Sequence, residues 1–203
     1  MITKDLYLRI KRIYGHVASW AVWGEAADTP KSNMGDISFF DIEDNPDLLQ
    51  FLRNDVVMVG LNFSRDVHFT EPFQNFHDPS PHANDFKIRY AFKNTQYYGA
   101  YMTDVIKGSV FVSSRNLRSY LIDNPSLIKK NIDFFQNELN DIEATKPLLL
   151  AFGGDAYSLL KKYLNEEKYS QLIKITHYSH FISKEDYKID VLNTLKRAGL
   201  DIN

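Results

Sequence analysis

Cysteine is absent from the chain of 203 residues. Its absence excludes disulfides, thiolate nucleophiles and cysteine-ligated zinc, and it fits a reducing compartment. No stretch approaches the roughly 20 apolar residues that a membrane-spanning helix needs. The N-terminal sequence MITKDLYLRIKRIYGH alternates charged with apolar residues, unlike the continuous apolar segment of a signal peptide. These observations predict a soluble, cytoplasmic protein without a membrane partner.

An excess of positive charge is also missing, since 26 Asp and Glu residues face 24 Lys and Arg residues and give a formal net charge of −2. Proteins that coat nucleic acids usually carry a basic excess, because phosphate contacts need Lys and Arg. Any contact with DNA must therefore come from a local basic face. Hydrophobic residues at 44% and charged residues at 25% indicate a globular chain. Its length predicts a single domain over residues 1–203, and we expect a monomer.

Four short apolar runs are typical of strands buried in a parallel sheet. They are VVMVG (56–60), YYGAYMTDVIKG (97–108), PLLLAFGG (147–154) and LIKIT (172–176). Helical patterns cover residues 3–20, 84–92, 125–143, 155–164 and 183–197, and a short helix is expected from Pro46 or Asp47. The alternation of strands and helices predicts a three-layer α/β/α fold with a mostly parallel, four-stranded central sheet.

Local sequence also predicts where helices begin and where a long loop lies. Asn84 is the expected cap of the helix over residues 84–92, and Ser183 with Asp186 resembles a capping box for the last helix. Residues 62–83 are expected to form a long irregular loop. Loops of that length are often functional.

Polar residues and glycines mark the ends of the four predicted strands. In parallel α/β sheets, ligands bind beyond the carboxyl ends of the strands. The positions there are Asn62, Asp104, the pair Gly153-Gly154, and His177 in the segment THYSHF (176–181). Simpler interpretations exist for single residues, since asparagine is common in turns and Asp104 suits a helix cap. The set as a whole predicts a ligand site at this edge.

The predicted loop also holds a loose group of histidines. His68, His77 and His82 lie near Asp78 and Asp85 in the sequence. Histidine and carboxylate side chains bind metals, but this spacing matches no metal-binding signature. We therefore expect no metal and no cofactor.

Four segments, taken together, resemble the uracil-DNA glycosylase superfamily. GLNFS (60–64) is similar to the family's first motif, G-L/I/M-N-P-G, and YMTDVIK (101–107) is similar to a strand that usually ends in Thr-Asn. AFGGDAYSLL (151–160) resembles the family's strand, glycine turn and alanine-led helix, and THYSHF lies where the family has His-Pro-Ser-Pro. The order and spacing agree over residues 55–182. The resemblance implies a hydrolase of DNA repair that needs no metal.

The resemblance implies a role for each matched position. Asn62 corresponds to the residue that holds the water attacking the sugar, and His177 to the residue that stabilises charge on the departing base. Asp104 falls where many relatives use asparagine to recognise the base, and Phe76 is the expected stacking residue. The remaining matched residues are Phe63 in the base pocket and Ser179, His180 and Phe181 in the loop that contacts DNA, with Phe181 as a wedge.

The chain departs from the family pattern at positions that matter. Phe63 and Ser64 replace a Pro-Gly pair, and Tyr178 and His180 replace two prolines, so both loops lose their usual shape. An ionised Asp104 only accepts hydrogen bonds, which mismatches uracil and favours a base edge with adjacent donors, such as that of guanine.

Three functional hypotheses follow. The first is a divergent uracil-DNA glycosylase-like enzyme that hydrolyses the N-glycosidic bond of a damaged or deaminated base in DNA. The second is a non-catalytic or differently specific protein on the same fold that binds a small nucleobase-containing ligand or nucleotide. The third is an unrelated flavodoxin-like binding module. Fold alone does not choose between them.

Overall fold

A computed structural model describes residues 2–62, 71–107, 111 and 113–202. Within these residues the chain forms a mixed α/β structure with one five-stranded sheet. The strands are β1 (Ser19–Trp20), β2 (Arg53–Asn62), β3 (Ala100–Ile106), β4 (Leu148–Phe152) and β5 (Gln171–Ile175). Their order across the sheet is β1-β3-β2-β4-β5. Strands β2 to β5 run parallel, and β1 pairs with β3 in the antiparallel sense. The predicted pocket residue Phe63 lies outside the described residues.

Seven α-helices occur in the described part of the chain. They are α1 (Lys4–Tyr14), α2 (Leu48–Phe51), α3 (Phe86–Phe92), α4 (Ser114–Asp123), α5 (Pro125–Asp141), α6 (Gly153–Tyr163) and α7 (Lys184–Arg197). Short 3-10 helices cover Ser38–Phe40 and Glu166–Lys168. Among the described helices, none combines the length and the apolar character that crossing a bilayer requires.

The prediction of a four-stranded sheet is wrong by one strand. β1 consists of two residues, and it adds to the sheet by pairing Ser19 with Met102 and Trp20 with Tyr101. A strand of two residues is too short to show an alternating pattern, so no pattern in the sequence predicts it. Helix α4 was not predicted either.

Two hydrophobic clusters cover the two faces of the sheet. Val57 and Val59 of β2 belong to the cluster with α1, α5 and α6. Val56 and Met58, which alternate with them, belong to the cluster with α3 and α7. Because successive strand residues point to opposite faces, β2 is buried on both sides. Burial on both sides explains why the central strands appear in the sequence as continuous apolar runs.

One of the two predicted helix caps is present. The side chain of Ser183 accepts a hydrogen bond from the Asp186 N–H at the start of α7, which confirms the predicted cap. Helix α3 begins two residues after Asn84, and no side chain caps its first turn. The amide of Asn84 instead donates to the carbonyl of His82 at 3.3 Å, so the predicted cap of α3 is wrong.

A buried ionic network ties the carboxyl end of β3 to α5. Lys107 Nζ donates to Glu138 Oε2 at 2.6 Å and to the backbone carbonyl of Asp104 at 2.6 Å. The other oxygen of Glu138 accepts from the Tyr101 hydroxyl at 2.8 Å and from Thr103 Oγ1 at 2.9 Å. Glu138 is fully buried, and each of its oxygens has a donor. The network therefore holds the strand that carries Asp104.

Candidate functional site

The carboxyl ends of β2 to β5 meet at one edge of the sheet, because these four strands are parallel. Asn62 is the last residue of β2, and His177 lies two residues beyond the end of β5. Gly60 of β2 is in register with Asp104 of β3. Asp104 lies within β3, two residues before its end at Ile106, close to the strand end that the sequence predicted. The predicted site residues thus lie at the edge where ligands bind in such sheets.

The side chain of Asp104 is a buried carboxyl group. One of its oxygens accepts a hydrogen bond from Asn75, and the other lies over Gly60. Its Oδ2 accepts from Asn75 Nδ2 at 3.1 Å. A Cβ atom built on Gly60 would lie 2.2 Å from Asp104 Oδ1, so the carboxyl occupies the space that any side chain at position 60 would need. Burial raises the pKa of Asp104 to about 6, with a further rise from Glu138, while Asn75 and Lys107 oppose the shift. Both protonation states are therefore populated near neutral pH.

Asn75, which sequence reasoning missed, fixes the orientation of the Asp104 carboxyl. Its Nδ2 donates to the carbonyl of Val17 at 2.9 Å as well as to Asp104, and its Oδ1 accepts from the Phe76 N–H at 3.0 Å. All three hydrogen bonds are satisfied in one amide orientation only. In the sequence, an asparagine in a long loop suggests turn chemistry, and only its place between Phe73 and Phe76 hinted at burial.

Phe76 lies beside the carboxyl and forms part of an aromatic wall with Phe152 and Tyr178. Its Cζ is 3.6 Å from the position that a Cβ on Gly60 would take. Its ring centroid lies 6.4 Å from those of Phe152 and Tyr178, which are 5.2 Å apart. The backbone of Phe76 has a φ of 64°, an uncommon value for an aromatic residue. The structure thus brings the predicted stacking residue to Asp104.

His177 packs at the other end of this wall, and its hydrogen bonds define its tautomer. Nδ1 lies 3.1 Å from the Ser179 N–H and 2.8 Å from Ser179 Oγ. Because a backbone N–H can only donate, Nδ1 is the acceptor and the ring proton is on Nε2. Burial lowers the pKa of His177 to about 4, although Asp155 acts in the opposite direction. The ring is therefore a neutral donor at pH 7.

Gly153 makes room for His177. A Cβ at this position would lie 3.3 Å from His177 Cβ, and the residue has a φ of 84°, which favours glycine. The imidazole centroid lies 6.4 Å from that of Phe152 and 4.4 Å from that of Tyr178, on which it stacks. A continuous series of contacts therefore runs from Asp104 through Phe76 and the aromatic wall to His177.

The turn after His177 presents the residues that were predicted to contact DNA. Ser179 is exposed, and both its hydroxyl and its N–H form hydrogen bonds with His177 Nδ1. His180 is exposed, and its carbonyl accepts from Lys87 Nζ of α3 at 2.8 Å. Phe181 is fully exposed, with a relative exposure of 102%.

Asn62 is half-buried at the end of β2. Its Nδ2 donates to the carbonyl of Phe111 at 3.1 Å, which fixes the orientation of its amide. It lies two residues along β2 from Gly60, the residue that Asp104 covers. The structure thus places Asn62 at the carboxyl end of β2, on the strand that neighbours the one carrying Asp104.

The histidines of the long loop do not form a metal site in the part of the chain that the structure describes. His77 is buried, and its Nε2 lies 2.7 Å from the carbonyl of Val22 while its ring stacks on Trp23. These contacts make His77 a packed core residue. Over the described ranges, no group of three or more acidic or histidine side chains is arranged to hold a metal ion. His68 lies outside those ranges.

Comparisons of the chain with protein-family models, with curated proteins and with solved structures found no match.

Proposed function

We propose that the chain is a divergent uracil-DNA glycosylase-like protein that binds a nucleobase at the carboxyl edge of its sheet and hydrolyses the N-glycosidic bond of a damaged or deaminated base in DNA. The observation that carries the proposal is a neutral His177 with its proton on Nε2, in contact with an aromatic wall that ends at a buried carboxyl. This set supplies a charge-stabilising donor, a stacking surface and an edge-recognition group.

The chemistry needs a donor near the departing base. Breaking the N-glycosidic bond moves negative charge onto the base as water attacks the sugar carbon. A preorganised hydrogen-bond donor at that point lowers the barrier by roughly 3–4 kcal/mol. In our proposal, His177 Nε2–H stabilises the base anion by a hydrogen bond, and Asn62 holds the attacking water.

The aromatic wall accounts for base binding. A base in duplex DNA must leave the stack and enter a pocket before an enzyme can act on it. Stacking on an aromatic side chain is worth about 1–3 kcal/mol per base, and Phe76, like Asp104, lies against Gly60. In our proposal Phe181 fills the gap left in the duplex, and the full exposure of its side chain on the adjoining turn supports this role.

Release of free base from DNA containing uracil or hypoxanthine, in single and double strands, tests the proposal. Asn62→Ala should reduce the rate at least tenfold, because the attacking water loses its anchor. Asn54→Ala is the matched control, since this asparagine lies at the amino end of the same strand and its amide donates to the carbonyl of Ile142. Equal loss in both variants, or no release from any substrate, would contradict the proposal.

A second candidate function is binding of a nucleobase without catalysis. Asp104 favours it, because a carboxyl group stands where the resembling family uses an amide. Calorimetric binding of free bases combined with the absence of base release from DNA would select this alternative. The same residues would bind the base in both candidate functions, so the two functions differ only in whether the N-glycosidic bond is hydrolysed.

Asp104→Asn should bind free uracil more tightly than the wild type at pH 7.5. The pKa of Asp104 is about 6, so the wild-type group is mostly ionised at pH 7.5 and faces a uracil carbonyl with like charge. A buried polar mismatch costs about 1–3 kcal/mol, or about 5- to 150-fold in affinity.

The wild-type affinity for uracil should rise as the pH falls from 7.5 to 5, because the carboxyl takes up a proton, whereas Asp104→Asn should show no such dependence. Titration calorimetry at the two pH values measures both effects. If wild type and variant bind uracil equally at pH 7.5 and neither responds to pH, Asp104 does not contact the base.

A further inference from the structure

We propose that Asn75 determines the base preference of the site, because its amide holds Asp104 Oδ2 and leaves Oδ1 as the carboxyl oxygen to which no described residue donates a hydrogen bond. This inference rests on the proposed base pocket and names the chemical class that the pocket selects. The ligand is a base recognised at one exocyclic group, which is a keto group when Asp104 is protonated and an amino group when it is ionised.

The first step is that the side-chain amide of Asn75 has only one favourable orientation. Turning its amide would direct NH₂ at the Phe76 N–H and would direct a carbonyl oxygen at both the Asp104 carboxyl and the Val17 carbonyl. The contacts with Phe76 and Val17 would be buried mismatches in both protonation states of Asp104, and the contact with Asp104 would be one in the ionised state, since Asn75 is 7% exposed and Asp104 is 3% exposed. A donor therefore faces Asp104 Oδ2 in every protonation state.

The second step concerns the position of the proton on Asp104. The oxygen that faces a fixed N–H is the better place for the carbonyl-like oxygen of a carboxylic acid, so the acidic proton lies on Oδ1. Oδ1 lies over Gly60, next to the ring of Phe76. No described residue donates a hydrogen bond to it. Oδ1 is thus a donor in the protonated state and an acceptor in the ionised state.

The third step gives the ligand class. Uracil presents a carbonyl group at its recognised edge and pairs with the protonated form, whereas cytosine presents an amino group there and pairs with the ionised form. The guanine-like pair of donors that the sequence suggested needs both carboxyl oxygens and would have to share Oδ2 with Asn75, whereas a single exocyclic group needs only Oδ1.

Two charged groups near Asp104 set the pH at which the preference changes. Lys107 at the end of β3 favours the ionised form, and Glu138 of α5 favours the protonated form. Burial outweighs both and raises the pKa of Asp104 to about 6.

The experiment measures the affinities of free uracil and free cytosine by calorimetry from pH 5 to 8, with wild type, Asn75→Ala and Asn131→Ala. We expect wild type to prefer uracil at low pH and cytosine at high pH, with a crossover near the pKa of Asp104. Loss of the Asn75 hydrogen bond disfavours the ionised carboxyl. The crossover in Asn75→Ala should therefore move up by about one pH unit, a tenfold effect.

Asn131→Ala is the matched control, because Asn131 is also buried and also joins two backbone groups, the Lys107 N–H and the Leu127 carbonyl. Its crossover should equal that of wild type. If Asn75→Ala does not fold, Asn75→Asp keeps the acceptor for the Phe76 N–H, places a second acid beside Asp104 and should also raise the crossover.

The outcomes separate this inference from the proposed function. An unchanged crossover in the Asn75 variants, or an equal shift in Asn131→Ala, overturns the role of Asn75 and leaves the base pocket standing. Failure of wild type to bind either base at any pH overturns the pocket and this inference together.

Discussion

Replacing His177 by alanine should reduce the rate of base release about 100- to 1,000-fold, the usual cost of removing one preorganised donor from an active site. The reason is that, in the proposed mechanism, the neutral imidazole offers Nε2–H where charge develops on the base. Single-turnover kinetics on DNA containing the preferred base measures this rate without interference from product release. The effect should appear in the rate of the chemical step more than in the affinity for DNA.

His180→Ala is the control for this variant, because it removes an exposed imidazole from the same turn. It should weaken DNA binding modestly and leave the chemical step nearly unchanged. Since the pKa of His177 is about 4, the ring stays neutral above that value, and titration of His177 should not alter activity between pH 5 and 8. A chemical step that is equally fast in His177→Ala and wild type would remove His177 from the mechanism.

Replacing Lys107 by methionine should lower the free energy of unfolding by about 3–5 kcal/mol, because Glu138 is then a buried charge without a cation. The side chains of the pair are 8% and 0% exposed, so water cannot take over the role of the ammonium group. Urea denaturation followed by circular dichroism measures the loss.

The double variant Lys107→Met with Glu138→Gln provides the control. Glutamine is neutral and keeps an oxygen that accepts from Tyr101 and Thr103, so it should recover much of the lost stability. If Lys107→Met alone lies within about 1 kcal/mol of wild type, the pair behaves like an exposed ion pair, which is worth little.

The central strands could be predicted from the sequence because burial on both faces leaves a long apolar run. The runs VVMVG and PLLLAFGG are examples. The first lies within β2, and the second contains β4. The capping box at Ser183 could also be predicted, because it involves residues only three positions apart in the sequence. β1 was missed because its two residues join the sheet only through pairing with β3, a contact between distant parts of the chain.

The parts of the candidate site that depend on distant contacts could not be predicted. Asp104, Phe76 and His177 were named from strand ends and from the family resemblance. The role of Asn75 depends on a hydrogen bond across 29 residues of sequence. The protonation of Asp104 depends on its burial, which cannot be predicted from the neighbouring residues in the sequence. The tautomer of His177 follows from the geometry of a turn whose sequence lacks the family's prolines.

The backbone conformation of Phe76 has a consequence for the speed and selectivity of ligand capture. A left-handed conformation in an aromatic residue costs about 1–3 kcal/mol. This strain is already present in the folded protein before any ligand binds. The backbone is held there by the Asn75 side chain, which accepts from the Phe76 N–H, and by the Trp23 indole, which donates to the Phe76 carbonyl at 3.1 Å. In the proposed base site, an entering base therefore stacks on a residue whose backbone is already fixed and loses only its own freedom, so that molecules of the wrong thickness or shape are rejected by fit and not by slow rearrangement of the protein.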